Sequence, residues 1–562
     1  MKDIRRTILW VIFAFSLVML WDQWQVHNGR KATFFPGAPT PASQASAPAS
    51  AVPAASAQPA AVPGVAPAGV PPGDAAPAAA AAAPRERIEV TTDVLKLVLD
   101  TEGGSIVRSE FLKFDQTEHP GQAFVLLDDS PQRTYQAQSG LIGGPFPTHK
   151  TAMRFTGERT LAEGAGELVL RFESPELGGL KLVKTYTLRR GDYVAQVRHE
   201  VVNTGGQPVS PQLYVQLVRD GNPAPGGTSF YSTFTGPAFY TDAKKFQKVE
   251  FADIDKGKAE FATPSPDGWV AMVQHYFASA WLLPQGMGHD NFARKLDGGL
   301  YAAGMIASLG AIAPGASQAV QARLFIGPQD EKVLEGIAPG LELVKDYGYF
   351  TILAKPLYWL LDKLHGVLGN WGWAIVALVV LLKIAFYWLN AKAYASMAKM
   401  KAINPRIQEL RERLKDNPQQ MQMEMMRIYR EEKVNPMGGC LPIMIQIPVF
   451  IALYWVLLSS VEMRGAPWIL WIKDLSVKDP YFILPVVMTL STLLQTALNP
   501  LPPDPMQARM MWIMPLVFSV MFFFFPAGLV LYWVTNNILT IAQQWIINTR
   551  MGVPPQFNLP KF

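Results

Sequence analysis

One charged side chain, Lys383, lies inside a run of apolar residues, and nothing else in the sequence constrains the fold as strongly. Apolar segments gather at about 371–390, 441–461, 481–499, 510–525 and 528–547, each near the ~20 residues that cross a bilayer core as a helix. A sixth, 7–21, follows Lys2, Arg5 and Arg6. Within these six cores only Lys383 is charged. It falls about 18 Å along a helix starting at 371, where an ammonium costs several kcal/mol unless water or a partner receives it. Snorkelling to the nearer end runs against the tilt of helical side chains toward the helix N-terminus. The lysine reads as a functional group.

Other polar side chains sort to the same depth. Gln446 lies one turn into its segment, Thr492, Gln495 and Asn499 share a face, and Asn536, Thr540, Gln543 and Gln544 occupy the second half of the last segment. Phe522 to Phe525 fill the opposite half of the segment before it. Singly, each polar group reads as an interhelical hydrogen bond. Together they describe a cavity that is wet from the cytoplasmic side and closed by aromatics on the other. An incoming segment would leave its hydrophilic part there while its apolar part passes into lipid, driven by burial of that apolar surface. No GxxxxGK[ST] spacing is present, so neither a nucleotide nor another cofactor is expected.

Charge sets the orientation. Segment 391–437 carries ten basic residues against six acids, whereas 462–480 is balanced. Excess Lys and Arg mark the cytoplasmic side, which gives six crossings with both termini cytoplasmic. Within 391–437, Asn404-Pro405 reads as a cap and first-turn proline, with Ile407, Leu410 and Leu414 on one face. Asn417-Pro418 reverses the chain, and Met421, Met425, Ile428 and Tyr429 open a second helix. The resulting hairpin offers Met421, Met425, Arg411 and Arg413 to partners, the methionines adapting to varied apolar surfaces. Packing of the two helices on each other accounts for the same methionines.

Residues 1–27 read as an uncleaved transmembrane anchor, because the apolar core ends in Trp21 and Trp24 rather than at a small-residue cleavage site. Residues 28–86 form an Ala/Pro-rich periplasmic linker that cannot bury enough apolar surface to fold. From 87 to 340 the pattern turns to period-2 alternation. Leu168, Leu170 and Phe172 share a face, as do Leu180, Leu182, Tyr186 and Leu188, with glycine pairs such as Gly103-Gly104 at the turns. Strands without intervening helices imply an antiparallel sandwich, and an anchor with its N-terminus inside places it in the periplasm. Residues 341–370 hold an amphipathic interfacial helix at 356–368, with Leu357, Leu360, Leu361, Leu364 and Leu368 as its stripe and Tyr358 and Trp359 at a headgroup boundary. The membrane core spans 371–550, and 551–562 is a short cytoplasmic tail.

Composition removes other classes. A single cysteine, Cys440, excludes an internal disulfide. Seven histidines show no metal-ligand spacing. A net charge of +5 is far from the dense basic face of a nucleic-acid binder, so no nucleic-acid partner is expected.

Specific stretches go further. They are Gly369-Asn370-Trp371-Gly372, the run Asn435-Pro436-Met437-Gly438-Gly439-Cys440-Leu441-Pro442 on through Gln446-Ile447-Pro448, and Asp504-Pro505-Met506-Gln507. Phe525-Pro526-Ala527-Gly528-Leu529-Val530-Leu531-Tyr532-Trp533 and, in the outer domain, Gly268-Trp269-Val270-Ala271-Met272 complete the set. These resemble the YidC/Oxa/Alb insertase family in its long, Gram-negative form. The resemblance implies a membrane protein insertase and chaperone of the bacterial inner membrane, with a polytopic α-helical core, five of its six crossings belonging to the conserved part, and a periplasmic β-supersandwich. It implies nascent inner-membrane proteins as clients and work alone or beside the Sec translocon (SecYEG and SecDF). The ribosome or the signal recognition particle pathway is a further expected partner, although the tail carries only Arg550 and Lys561. The resemblance also adds Tyr532 and Trp533 to the groove of Lys383, Gln446, Gln495, Asn536 and Thr540. The family usually has arginine where this chain has Lys383, so the charge is kept and the planar fork lost.

Two rivals stand beside this reading. An ion-coupled secondary transporter normally carries acidic or histidine relays and inverted repeats, and no Asp, Glu or His occurs in the spans assigned here. A periplasmic carbohydrate- or peptide-binding module on an anchor would need one helix, not six.

Overall fold

The computed structural model describes residues 85–117, 119, 121–224, 233–414, 417–432, 441–499, 505–550 and 557. The expected anchor 1–27, nearly all of the linker 28–86, Cys440 with the motif before it and most of the tail lie outside the described residues. Among the described residues, one compact unit holds 85–327 with 339–341, and the other holds 328–338 and 342 onward.

Alternating burial builds the first unit. Its strands begin with β1 (Arg87–Thr91), β2 (Leu95–Asp100), β3 (Ser105–Asp115), β4 (Ala123–Val125), β5 (Asp128–Ser130) and β6 (Arg133–Ile142). Next come β7 (Arg154–Gly157), β8 (Glu167–Glu173), β9 (Leu180–Arg189), β10 (Val194–Asn203), β11 (Gln212–Asp220) and β12 (Gly236–Thr241). Then follow β13 (Lys245–Lys248), β14 (Trp269–Gln274), β15 (Phe277–Leu282), β16 (His289–Lys295), β17 (Leu300–Ser308) and β18 (Ser317–Pro328). The first sheet runs β1-β2-β3-β6-β11-β17-β16, with β4 on β3 and β5 on β6; the second runs β13-β12-β14-β15-β18-β10-β9-β8-β7. In β8, Leu168, Leu170 and Phe172 are buried while Val169 is exposed, as the period-2 reading requires.

Polar ties cross between the sheets. Tyr135 donates to the Met272 carbonyl at 3.2 Å, and Lys184 donates to the carbonyls of Gly103 at 2.6 Å and Ser139 at 2.7 Å. Both side chains are fully buried. Desolvation pulls the Lys184 amine down to about 7. Desolvation first, then the nearby Lys184, pull His199 down to about 3. Gly103 turns the chain at φ 71°, and a Cβ there would meet the His149 carbonyl oxygen at 2.2 Å.

Helices are numbered α1 (Phe251–Asp255) in the sandwich, then α2 (Glu331–Ile337), α3 (Thr351–Leu368), α4 (Trp371–Ala385) and α5 (Tyr387–Arg413). The rest are α6 (Pro418–Glu431), α7 (Leu441–Ser459), α8 (Ile483–Leu498), α9 (Pro505–Phe522) and α10 (Ala527–Arg550). Gly369 ends α3 in the left-handed conformation, and Asn370 caps α4 by accepting from the Trp373 N–H at 3.1 Å. Leu378, Leu453, Val456, Met488, Val530 and Leu531 pack α4, α7, α8 and α10 into one core. Beneath α3, Lys345 bonds both oxygens of Glu462 at 3.1 and 3.2 Å, and Tyr358 donates to the same carboxylate at 2.5 Å.

Several sequence expectations change here. Helix α3 begins at Thr351 and contains Pro356, and Tyr358 turns into the core because Glu462 receives its hydroxyl. Trp359 remains exposed. The run 371–390 is not one rod: α4 stops at Ala385, and the chain bends by 62° into α5. Asn404-Pro405 starts no helix. Instead α5 passes through Pro405, since Ile403, Ile407 and Leu410 packing on Ile428 outweighs the hydrogen bond that proline removes. By length and composition, no single helix among the described residues is long and apolar enough to cross a membrane, while Trp371–Ala385 with Tyr387–Ser396 passes as a bent pair.

Candidate functional site

Lys383 sits in the last turn of α4, just before the bend. Its Nζ donates to Thr540 Oγ1 on α10 at 2.7 Å, and that hydroxyl donates onward to the Asn536 carbonyl at 2.6 Å. Among the described residues no carboxylate pairs with the amine. A cavity of about 210 Å³ opens beside it, lined by Lys383, Gln446, Tyr532, Trp533 and Asn536, with Phe386 and Phe450 among its apolar walls. Helical periodicity puts Trp533, Asn536 and Thr540 on one stripe of α10.

Asn390 extends the polar group. It is 6% exposed, accepts from Gln446 Nε2 at 3.1 Å and donates to Gln543 Oε1 at 3.2 Å, joining α5, α7 and α10. In the sequence it is only the last residue of the run 371–390, with no local mark of this role. The bend turns it inward.

Rings close another side. Phe450 stands edge-on to Trp533 at 4.6 Å, and Phe522 lies 5.1 Å from Trp533 and 5.3 Å from Phe525. Phe522 and Phe525 are buried, whereas Phe524 faces outward. Of the four phenylalanines expected to seal the cavity, the pair spaced three apart lies at this closure.

Gln495 does not join the cavity lining; it is half-buried elsewhere on α8. Thr492 and Asn499 face a second stripe of α10. There Asn537 donates to Ser491 Oγ at 3.1 Å and Thr492 Oγ1 at 2.9 Å, and Gln544 donates to Asn499 Oδ1 at 3.2 Å. These bonds hold α8 to α10, the plain interhelical role. The polar half of α10 therefore serves two neighbours.

In the hairpin, Asn417 caps α6 by accepting from the Gln420 N–H at 3.2 Å. Met425 packs on Ile403, Ile407, Leu410 and Ile428, so helix-on-helix packing accounts for it. Met421 is half-buried and Arg413 exposed; Arg411 lies on α5 with its side chain outside those described. Met423 and Met426, which the sequence did not single out, are exposed.

Comparison with known proteins covers both units. The model of the YidC periplasmic domain matches residues 87–360, and that of the 60Kd inner membrane protein matches 363–553. A membrane protein insertase YidC from Cupriavidus necator is 56% identical over 551 residues, 98% of each chain. That of Ralstonia nicotianae is 55% identical over 551 residues, again 98% of each. That of Burkholderia vietnamiensis is 57% identical over 552 residues, 98% of this chain and 99% of the relative. These relatives match 98% of the chain and the two family models cover its two parts, and the chain belongs to the YidC family of membrane protein insertases.

Proposed function

We propose that this chain inserts inner-membrane proteins into the bilayer and helps them fold, with the cavity beside Lys383 as the groove that receives the polar part of a client. One observation carries this reading: an ammonium, hydrogen-bonded to a hydroxyl and facing no carboxylate among the described residues, borders a cavity of amides and aromatic rings. Such a group attracts water and the acidic residues of a passing segment. The insertase names of the relatives agree with it, and nothing in the comparisons supports an ion-coupled transporter.

In this reading the sandwich is periplasmic, and the hairpin 391–437 and both termini face the cytoplasm of a bacterial inner membrane. Segment 7–21, the bent pair α4–α5, α7, α8, α9 and α10 make six crossings. Helix α8, with 16 residues, reaches about 24 Å, so it thins the lipid around it. Nascent inner-membrane proteins are the clients. The Sec translocon, and the ribosome or the signal recognition particle pathway, are its partners, and lipid borders the groove.

Cysteines placed at 383, 446, 536 and 540 test the groove by labelling from each side of sealed vesicles. All four should react from the cytoplasmic side. Four dry positions, or reaction from the periplasmic side, would refute it.

A further inference from the structure

Between α7 and α8 the chain makes a tight turn with an exposed apolar tip. The Trp468 N–H donates to the Ile472 carbonyl at 3.0 Å and the Leu475 N–H to the Ala466 carbonyl at 3.0 Å, which closes the two arms. Asn370 Nδ2 donates to the carbonyls of Pro467 at 3.0 Å and Trp468 at 3.2 Å, and the Gly528 N–H donates to the Leu475 carbonyl at 2.9 Å. Ile472 and Leu475 are buried, whereas Ile469 and Leu470 at the tip are exposed, Leu470 at 79%. Leu470 also has φ 52°, a left-handed backbone that glycine adopts freely and that costs a residue with a Cβ. A well-bonded frame thus holds a strained leucine outward, where water gives nothing in return. Burial of that side chain in an apolar medium would offset the strain.

Neighbouring rings set the level of the tip. Trp468 stands edge-on to Trp373, in the first turn of α4, at 5.7 Å, and Trp471 stands edge-on to Tyr481, just before α8, at 6.5 Å. In the proposed topology both helices enter the bilayer from the periplasmic side at these residues, and Trp and Tyr gather at that boundary. Charge sorts in the same sense. The loop 462–480 is balanced in sequence, but its three acids are taken up within the unit. Glu462 accepts from Lys345 and Tyr358, and Asp474 accepts from the Ser476 N–H and hydroxyl at 2.8 Å. Asp479, 1% exposed, accepts from Trp471 Nε1 at 3.0 Å and from the Leu484 N–H at 2.8 Å. Lys473 and Lys478 remain exposed.

The loop therefore presents two apolar side chains flanked by ammonium groups, the arrangement that suits acyl chains lying beneath lipid phosphates. A stable protein partner would need a patch of about 800 Å², far more than two side chains at a turn supply. We infer that the turn dips Ile469 and Leu470 into the outer leaflet of the bilayer, with Lys473 and Lys478 at the phosphates, and so fixes the depth at which α4 and α8 enter. The inference rests on the insertase topology proposed above.

The full-length protein with Cys440→Ser, in vesicles of phosphatidylethanolamine and phosphatidylglycerol, tests this. An environment-sensitive fluorophore is attached at Leu470→Cys, at Lys473→Cys, or at Val486→Cys, an exposed position one turn into α8. Lipids with a nitroxide high on the acyl chain should quench position 470 about threefold more than position 473, because the quencher acts within the apolar layer. Iodide on both sides of the membrane should quench in the reverse order. Ile469→Cys repeats the measurement at a residue without the left-handed backbone, in case Leu470→Cys disturbs the turn. Lipid quenching at 486 but at neither 469 nor 470 overturns the inference and leaves the topology standing. Lipid quenching at none of the three overturns both, and iodide quenching at 470 as strong as at 473 overturns the inference alone.

Discussion

Lys383 and Thr540 are 157 residues apart in the chain, yet the amine of one donates to the hydroxyl of the other at 2.7 Å. The bond ties α4 to α10 at the cavity wall and fixes where the positive charge points. Lys383→Arg should keep insertion of a single-span reporter in depleted cells, whereas Lys383→Ala and Lys383→Glu should lower it by about tenfold, or about 1.4 kcal/mol. Thr540→Val keeps the shape and loses the acceptor, so a milder loss of about two- to fivefold is expected. Wild-type insertion by both charge-removing variants would end the groove account.

The pair Lys345–Glu462 is sealed, with the lysine side chain at 0% exposure and the glutamate at 13%. Removing one partner strands the other's charge. Lys345→Met should cost about 3–5 kcal/mol in chemical unfolding of the purified protein. Adding Glu462→Gln should recover part of that loss. A single-variant cost below about 1 kcal/mol would mean that the cluster does not hold α3.

Acid should weaken the sandwich in two windows. Lys184 titrates near 7 in the fold against 10.5 ordinarily, and His199 near 3 against 6.5. Both folded-state values are lowered, so the unfolded chain binds the proton that the fold refuses, and stability rises with pH. The rise runs from 3 to 6.5 through His199 and from 7 to 10.5 through Lys184, each at most about 1.4 kcal/mol per pH unit. Thermal unfolding against pH should lose the upper slope in Lys184→Met and the lower in His199→Gln. A wild-type midpoint that falls steadily from neutral to mildly alkaline pH would contradict the Lys184 assignment.

Asn417 caps the start of α6, its side chain accepting from the Gln420 N–H. Asn417→Ala should cost about 1 kcal/mol of local stability, read as faster amide exchange in the first turn of α6. Exchange unchanged from wild type would show that packing on α5 alone holds the helix end.

Much of this was legible in the sequence because periodicity reports burial directly. The alternation in β8 and β9 is the sandwich's own inside–outside pattern, and Lys383 stood out because a charge in an apolar run has few explanations. What stayed hidden depends on tertiary geometry. Nothing local marks the bend at Phe386, so the sequence does not show that Asn390, at the end of the run 371–390, is a junction. Depth along a helix also says nothing about azimuth, which is why Gln495 and the two polar stripes of α10 were merged. Tyr358 was misplaced for a related reason: its partner, Glu462, is 104 residues away.

The break after Ala385 has a geometric consequence. In a straight helix through 390, Lys383 and Asn390 would stand about 10 Å apart along one axis. The 62° turn that follows sends the next helix off that line, and Asn390 reaches Gln446 and Gln543 from the new direction. One apolar run thus supplies a cation before the corner and an amide after it, two polar groups that a rod would string out along a single edge.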